Sequence, residues 1–250
     1  MNKVLFNYLL KLGDDSFIMG QRLSAWCGKG PYLEEDIALT NIALDHWGQS
    51  HHFYQYASRL SENASSVDDL AFLRYEHEYL NAHWVELPNQ DYAQTILKTY
   101  IFSLYQKLLY QALSDSEDEE LAAIAHKALK EVKYHYLHAS SWMKIFAQGT
   151  DESRDRINLA IENIWEYTQG LFATVEGESK LESLKITPPM EVVYRDFLAA
   201  TQKDFSNFEL DYPQDSFMQP KSRTGEHTEY FGYILCELQY MQRAYPGCTW

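Results

Sequence analysis

The chain has 250 residues, 46% of them apolar and 23% charged, with 36 acidic and 21 basic side chains and a net charge of −15. That composition argues for a globular protein and against a nucleic-acid binder or an adherent of anionic membranes, both of which need a basic face. Cys27, Cys236 and Cys248 have neither zinc-ligand nor disulfide spacing, so a reduced, cytoplasmic setting is expected. The first ten residues carry no cleavage pattern, and the longest charge-free run, 46–58, is too polar to span a bilayer.

Helical periodicity runs through the whole sequence. Leu5, Leu9, Leu12, Phe17, Leu23 and Trp26 predict a first helix, stopped by Gly28-Lys29-Gly30-Pro31. A second is expected over 32–60, with Glu34, Glu35 and Asp36 at its positive end. Residues 61–66 read as a polar turn, and 67–79 as a short helix opened by Ser66. Long helices follow at 91–113 and 117–148, the latter ended by Gly149. A fifth is expected over 151–175, closed by Gly177. Thr187-Pro188-Pro189 predicts a start with Thr187 as cap, and that helix runs to about Leu210. Residues 211–225 read as a loop and 226–244 as the last helix. No strand pattern, repeat or long linker interrupts this order. The expectation is an all-α bundle with additions, a single domain over residues 1–250.

Polar residues on an inner stripe of such a bundle need a reason. In the second helix Ala38, Asn41, Asp45, Gly48 and His52 share a face, which turns Asp45 inward. In the fourth, Glu131, His135 and His138 share one, and the first helix adds Asp14. Carboxylates and imidazoles converging in a bundle point to the di-iron carboxylate plan, in which two helices each give a Glu and two each give Glu-x-x-His. The ligands fall short of that plan. Gly48 stands three residues after Asp45, and Tyr134 three after Glu131. The third helix has no acid between Asp91 and Asp115, with Ser103 near the ligand position. Three readings remain. The favoured one is a metal-free, hydrogen-bonded core of Asp14, Asp45, Glu131, His135 and His138. The second is a single weakly held ion on Asp45, Glu131 and His135. The third is an unusual working site on the same residues.

Several short segments carry a family likeness: Leu12-Gly13-Asp14, Gln21-Arg22-Leu23, Trp26-Cys27-Gly28, Ala43-Leu44-Asp45 and Gly48-Gln49 in the first part of the chain. Glu86-Leu87-Pro88-Asn89, Asp91-Tyr92-Ala93, Lys130-Glu131 and Tyr134-His135 continue it. Arg223-Thr224-Gly225, His227-Thr228-Glu229, Gln239-Tyr240-Met241-Gln242-Arg243 and the terminal Trp250 complete it. In their order and spacing the sequence resembles the C-subunit family of bacterial phenylacetyl-CoA epoxidases, from end to end. The resemblance implies a ferritin-like four-helix bundle with additional C-terminal helices. It also implies a non-catalytic subunit with no cofactor of its own. Its partners would be a catalytic A subunit holding the di-iron centre, a small B subunit, and a reductase carrying flavin and an iron–sulfur cluster. The assembly would epoxidise the ring of phenylacetyl-CoA with O₂ and electrons from NADPH. One departure is Ser103, where some members carry an acid.

Other signals are blander. His46, His51 and His52 read as surface or interface histidines, and Tyr100, Tyr105 and Tyr110 as core or interface. Lys127, Lys130 and Lys133 read as a solvated helix face. Arg223, His227 and Glu229 are candidate partner contacts or an inter-helix lock, or else His227 and Glu229 simply open the last helix with acids suited to its dipole. The competing functions are a structural oxygenase subunit, a metal-binding ferritin-like oxidoreductase active in its own right, and an unrelated helical adaptor.

Overall fold

The computed structural model describes residues 2–61, 65–213, 218–219 and 221–248. Parts of the expected turn at 61–66 and loop at 211–225, and the terminal Trp250, lie outside the described residues. Nine α-helices occur among the described residues, and no strand. They are α1 (Asn2–Ser24), α2 (Leu33–Leu60), α3 (His83–Glu86), α4 (Tyr92–Leu113), α5 (Glu119–Gln148), α6 (Asp151–Ile164), α7 (Glu178–Ser183), α8 (Met190–Phe208) and α9 (Phe231–Ala244). The all-α, ferritin-like class expected from the sequence is the observed one. Among the described residues no helix is long and apolar enough to cross a membrane.

Contacts divide the chain into two compact units. Unit 1 is Met1–Pro88, Val175–Glu178 and Lys221–Trp250; unit 2 is Asn89–Thr174 and Ser179–Pro220. In unit 1, α1 packs along α2, and α9 packs on the 69–78 segment. In unit 2, α4 packs along α5, with α6 and α8 against both.

The long helices begin where their caps are. Asp91 accepts from the Gln94 amide (2.9 Å), Asp118 from that of Leu121 (2.9 Å) and Thr150 from that of Ser153 (3.2 Å). Each satisfies an amide that the first helical turn leaves without a partner. Tyr32 caps nothing at the head of α2. Asp36 reaches back instead to the Gly30 amide (2.9 Å), and this bond holds its carboxyl below the usual range.

Four expectations are corrected. The 67–79 segment is not one helix. Ser66 and Asp69 do exchange the expected capping bonds, but a single π turn (Asp69–Leu73) gives way to a 3₁₀ turn (Glu76–Glu78). Arg74 between them is extended, because its side chain is drawn into the interior of unit 1. The fifth helix stops at Ile164 and continues as 3₁₀ turns to Phe172. Helix α8 starts at Met190 with Pro189, not Thr187, at the cap position. Helix α9 starts at Phe231 rather than near Glu226, because the backbone before it bonds sideways. The Thr228 amide, for example, donates to Glu86 (2.7 Å), not to a preceding turn.

The face of α2 is also corrected. Asn41 and Gly48 are exposed, and Asp45 and His52 half-buried. Ala38 of the expected face is buried, but the buried arc continues through Leu39, Ile42, Ala43, His46, Gln49, Ser50, Phe53, Tyr54 and Ala57. The helix turns its most apolar arc inward, and that rotation takes His46 with it. His46 is therefore buried, not a surface histidine. The three tyrosines of α4 are core residues, as expected.

Candidate functional site

Every residue of α1 from Tyr8 to Gly20 is buried, including Lys11, Asp14 and Asp15. Three ionisable groups inside a helix enclosed on all sides are costly unless each is matched. Each is matched within unit 1. The Lys11 ammonium donates to both oxygens of Glu178 (3.0 Å each), which also accepts from the Val175 amide (2.8 Å). Asp14 accepts from the Tyr54 hydroxyl (2.6 Å), the Leu80 amide (2.7 Å) and both terminal nitrogens of Arg74. Asp15 accepts from the Ala82 amide (2.8 Å) and from Arg223 (2.8 Å).

Glu86 forms a fourth buried centre. One of its oxygens accepts from Asn81 (2.7 Å) and stands 2.6 Å from Nδ1 of His227. The other accepts from the Thr228 amide and hydroxyl (2.7 Å each). The Glu86 carbonyl in turn accepts from Arg22. The imidazole of His227 stacks on Phe231 at 3.9 Å. Nearby, Gly225 adopts φ +79°, and a Cβ there would stand 2.3 Å from the His77 carbonyl oxygen, so glycine is required. Together these bonds strap residues 222–228 onto the 77–86 segment of unit 1.

Burial and pairing set the electrostatics. Burial pushes the Lys11 ammonium down to about 8; Glu178 and Asp15 oppose the fall, and Arg223 adds to it. Burial pushes the Asp15 carboxyl up, against the pull of Arg223 and the Ala82 amide. For Arg74 burial acts downward, yet Asp14 and then Tyr54 outweigh it and the net shift is upward. Burial, then Asp14, raises the Tyr54 hydroxyl well above its ordinary value.

The Lys11 shift has a testable sign. The folded-state value of about 8 lies below the free value of 10.5, so the unfolded chain holds more protons between those limits. Stability therefore rises with pH across that window, by on the order of 2 kcal/mol over one and a half units. Above the ordinary tyrosine value of 10 the trend is opposed, because burial holds Tyr79 up at about 12. Urea denaturation of wild type and Lys11→Met between pH 8 and 9.5 checks this. The variant should lack the rise, and equal pH slopes would contradict it.

The residues singled out from sequence are placed as follows. Asp14 lies in unit 1 with the partners above, and Asp45 is half-buried on α2. His135 is buried on α5 in unit 2, with Glu131 and His138 half-buried on the same helix. Arg223 and the ring of His227 make their bonds inside unit 1, and Glu229 is exposed. Sequence reasoning missed Lys11, Asp15, Arg74, Glu86 and Glu178. The signal for Lys11 and Asp15 was their setting between Leu9, Leu10 and Leu12 on one side and Phe17, Ile18 and Met19 on the other.

The residues present do not fit a di-iron centre. Ser103, where α4 would have to supply a carboxylate, is buried and donates its hydroxyl to the Tyr100 carbonyl (3.1 Å). A Cβ at Gly48, three residues after Asp45, would meet nothing within 4 Å. Tyr134, three residues after Glu131, is 49% exposed. A hydroxyl, a bare backbone and a solvent-facing phenol do not supply the anionic oxygens and imidazoles that two irons need.

Fold and site together define an all-α protein of the ferritin-like class whose first unit is built around buried, matched charges. The profile of the phenylacetic acid catabolic protein family matches residues 1–250, and the chain belongs to that family. It is 36% identical over 243 residues to the C component of the 1,2-phenylacetyl-CoA epoxidase of Escherichia coli (strain K12), covering 97% of this chain and 98% of that relative.

Proposed function

We propose that this chain is a non-catalytic, structural subunit of a multicomponent phenylacetyl-CoA epoxidase of aerobic phenylacetate degradation. In this reading it pairs with a catalytic subunit that holds the di-iron centre, and stabilises it. A small third subunit and a flavin and iron–sulfur reductase drawing on NADPH complete the assembly. The observation that carries the reading is α4, a helix buried from Ala93 to Gln106 with no carboxylate along its length. A ligand-bearing bundle of this class needs an acid there. The buried charges of unit 1 support the same reading. They use their bonds to hold α1, the 74–86 segment and the C-terminal strap together, which is what a rigid supporting subunit must offer a metal-bearing neighbour. A cytoplasmic setting fits the three exposed, free cysteines.

The test is to express the chain alone and together with the catalytic subunit, then measure iron and ring epoxidation. We expect co-purification, no stoichiometric iron on this chain, and turnover only with the partner. Stoichiometric iron and epoxidation by this chain alone would establish an oxidoreductase in its own right and overturn the proposal.

A further inference from the structure

The outward face of α5 differs in charge from the rest of this acidic chain. Between Leu121 and Gln148 the helix has four lysines (Lys127, Lys130, Lys133 and Lys144) and one acid, Glu131. All four lysines are exposed, whereas Glu131 is half-buried. No other acid interrupts the stretch, although the whole chain carries −15. Three large apolar side chains share this outward side: Tyr134 at 49% exposure, Leu137 at 63% and Ile145 at 53%. Lys127, Lys130, Tyr134, Leu137, Ser141 and Ile145 follow one another at three- and four-residue steps, so they form one continuous stripe. From Lys127 to Ile145 the helix carries it over about 27 Å. That is long enough for one side of a standard protein interface.

We propose that this stripe is a docking surface for a protein partner whose matching surface is apolar at the centre and acidic around it. Resting on the function proposed above, that partner is the catalytic subunit. Three points favour this occupant. Exposed tyrosine, leucine and isoleucine in a row cost solubility with no return unless another apolar surface covers them. Lysines beside them remain hydrated at a rim and draw in an acidic surface without being buried themselves. A phosphate-bearing small molecule would want its cations convergent, and here they are spread along a helix.

A second copy of the chain fits poorly. The stripe against itself sets lysine against lysine. Placed against the acidic start of α2, which bears Glu34, Glu35 and Asp36, it makes a head-to-tail contact of the kind that builds rings or open filaments.

The experiment is calorimetric titration of the full chain with the separately purified catalytic subunit, at low and high salt. The variants are the triple reversal Lys127→Glu, Lys130→Glu and Lys133→Glu, and Tyr134→Ala. A reversal of two other exposed lysines, Lys180→Glu with Lys185→Glu, is the control. Thermal melts establish that each variant is folded. Affinity should fall by about 30-fold in the triple reversal, with the salt dependence lost, and by about 10-fold in Tyr134→Ala. The control should bind within about 3-fold of wild type. Wild-type binding that is indifferent to the triple reversal and to Tyr134→Ala would overturn the surface and leave the pairing intact. No binding by the wild type would overturn the pairing and the surface together.

Discussion

Asp14→Ala is expected to lower the stability of the protein by about 3–5 kcal/mol, the largest loss from any single truncation in unit 1. Asp14 is wholly buried and accepts from Tyr54, from the Leu80 amide and from both terminal nitrogens of Arg74. Alanine leaves the guanidinium of Arg74 ionised inside unit 1 with only neutral partners. Those partners are the Leu70 and Glu78 carbonyls (2.6 and 2.9 Å), the Tyr54 hydroxyl (3.2 Å) and the ring of Tyr79 (3.9 Å). An unmatched buried charge costs more than the pair contributed. The damage reaches α9, because the Arg74 carbonyl accepts from Gln239 (2.8 Å) and Arg243 (3.1 Å). Total stabilities of about 5–15 kcal/mol make this a large fraction of the whole. Denaturant titration measures it, and a loss under about 1 kcal/mol would mean that Arg74 finds water or another acceptor.

Glu86→Ala should follow, at about 3 kcal/mol or more, since each buried donor left without a partner costs about 1–3 kcal/mol. Four donors lose their acceptor: the amide of Asn81, Nδ1 of His227, and the amide and hydroxyl of Thr228. Three of these four lie on the strap. The expected signature is therefore local as well as global. Hydrogen exchange at the Thr228 amide should quicken far more than at amides in the middle of α4. Exchange accelerated equally everywhere would argue that Glu86 supports the whole unit and not the strap. Glu86→Gln keeps one acceptor and should be milder.

Much of the fold was legible in the order of residues. Asp91, Asp118 and Thr150 announce helix starts because a side-chain acceptor at a cap is a local event. The absence of acids from 92–114 could likewise be read directly. The segments that carry the likeness proved to be structural in part: Asp14, Glu86, Arg223, Gly225, His227 and Thr228 all lie at the buried centres of unit 1 or on its strap.

Other features were hidden for a common reason. The inward face of α2 was misjudged because polarity alone cannot tell that His46, Gln49 and Ser50 ride inward on the same arc as Phe53 and Tyr54. The start of α9 was misplaced because Thr228 bonds to a residue 142 positions away. Lys11 finds its partner, Glu178, 167 positions on, and the partner of Asp15 is 208 positions on.

Helix identity and the caps at Asp91, Asp118 and Thr150 were thus written in the chain itself, since each depends on residues within a turn or two of one another. Which charges are buried, and with what, was decided only when distant segments met. A carboxylate or ammonium enters an interior when a matching group arrives there with it, and no local spacing encodes that arrival.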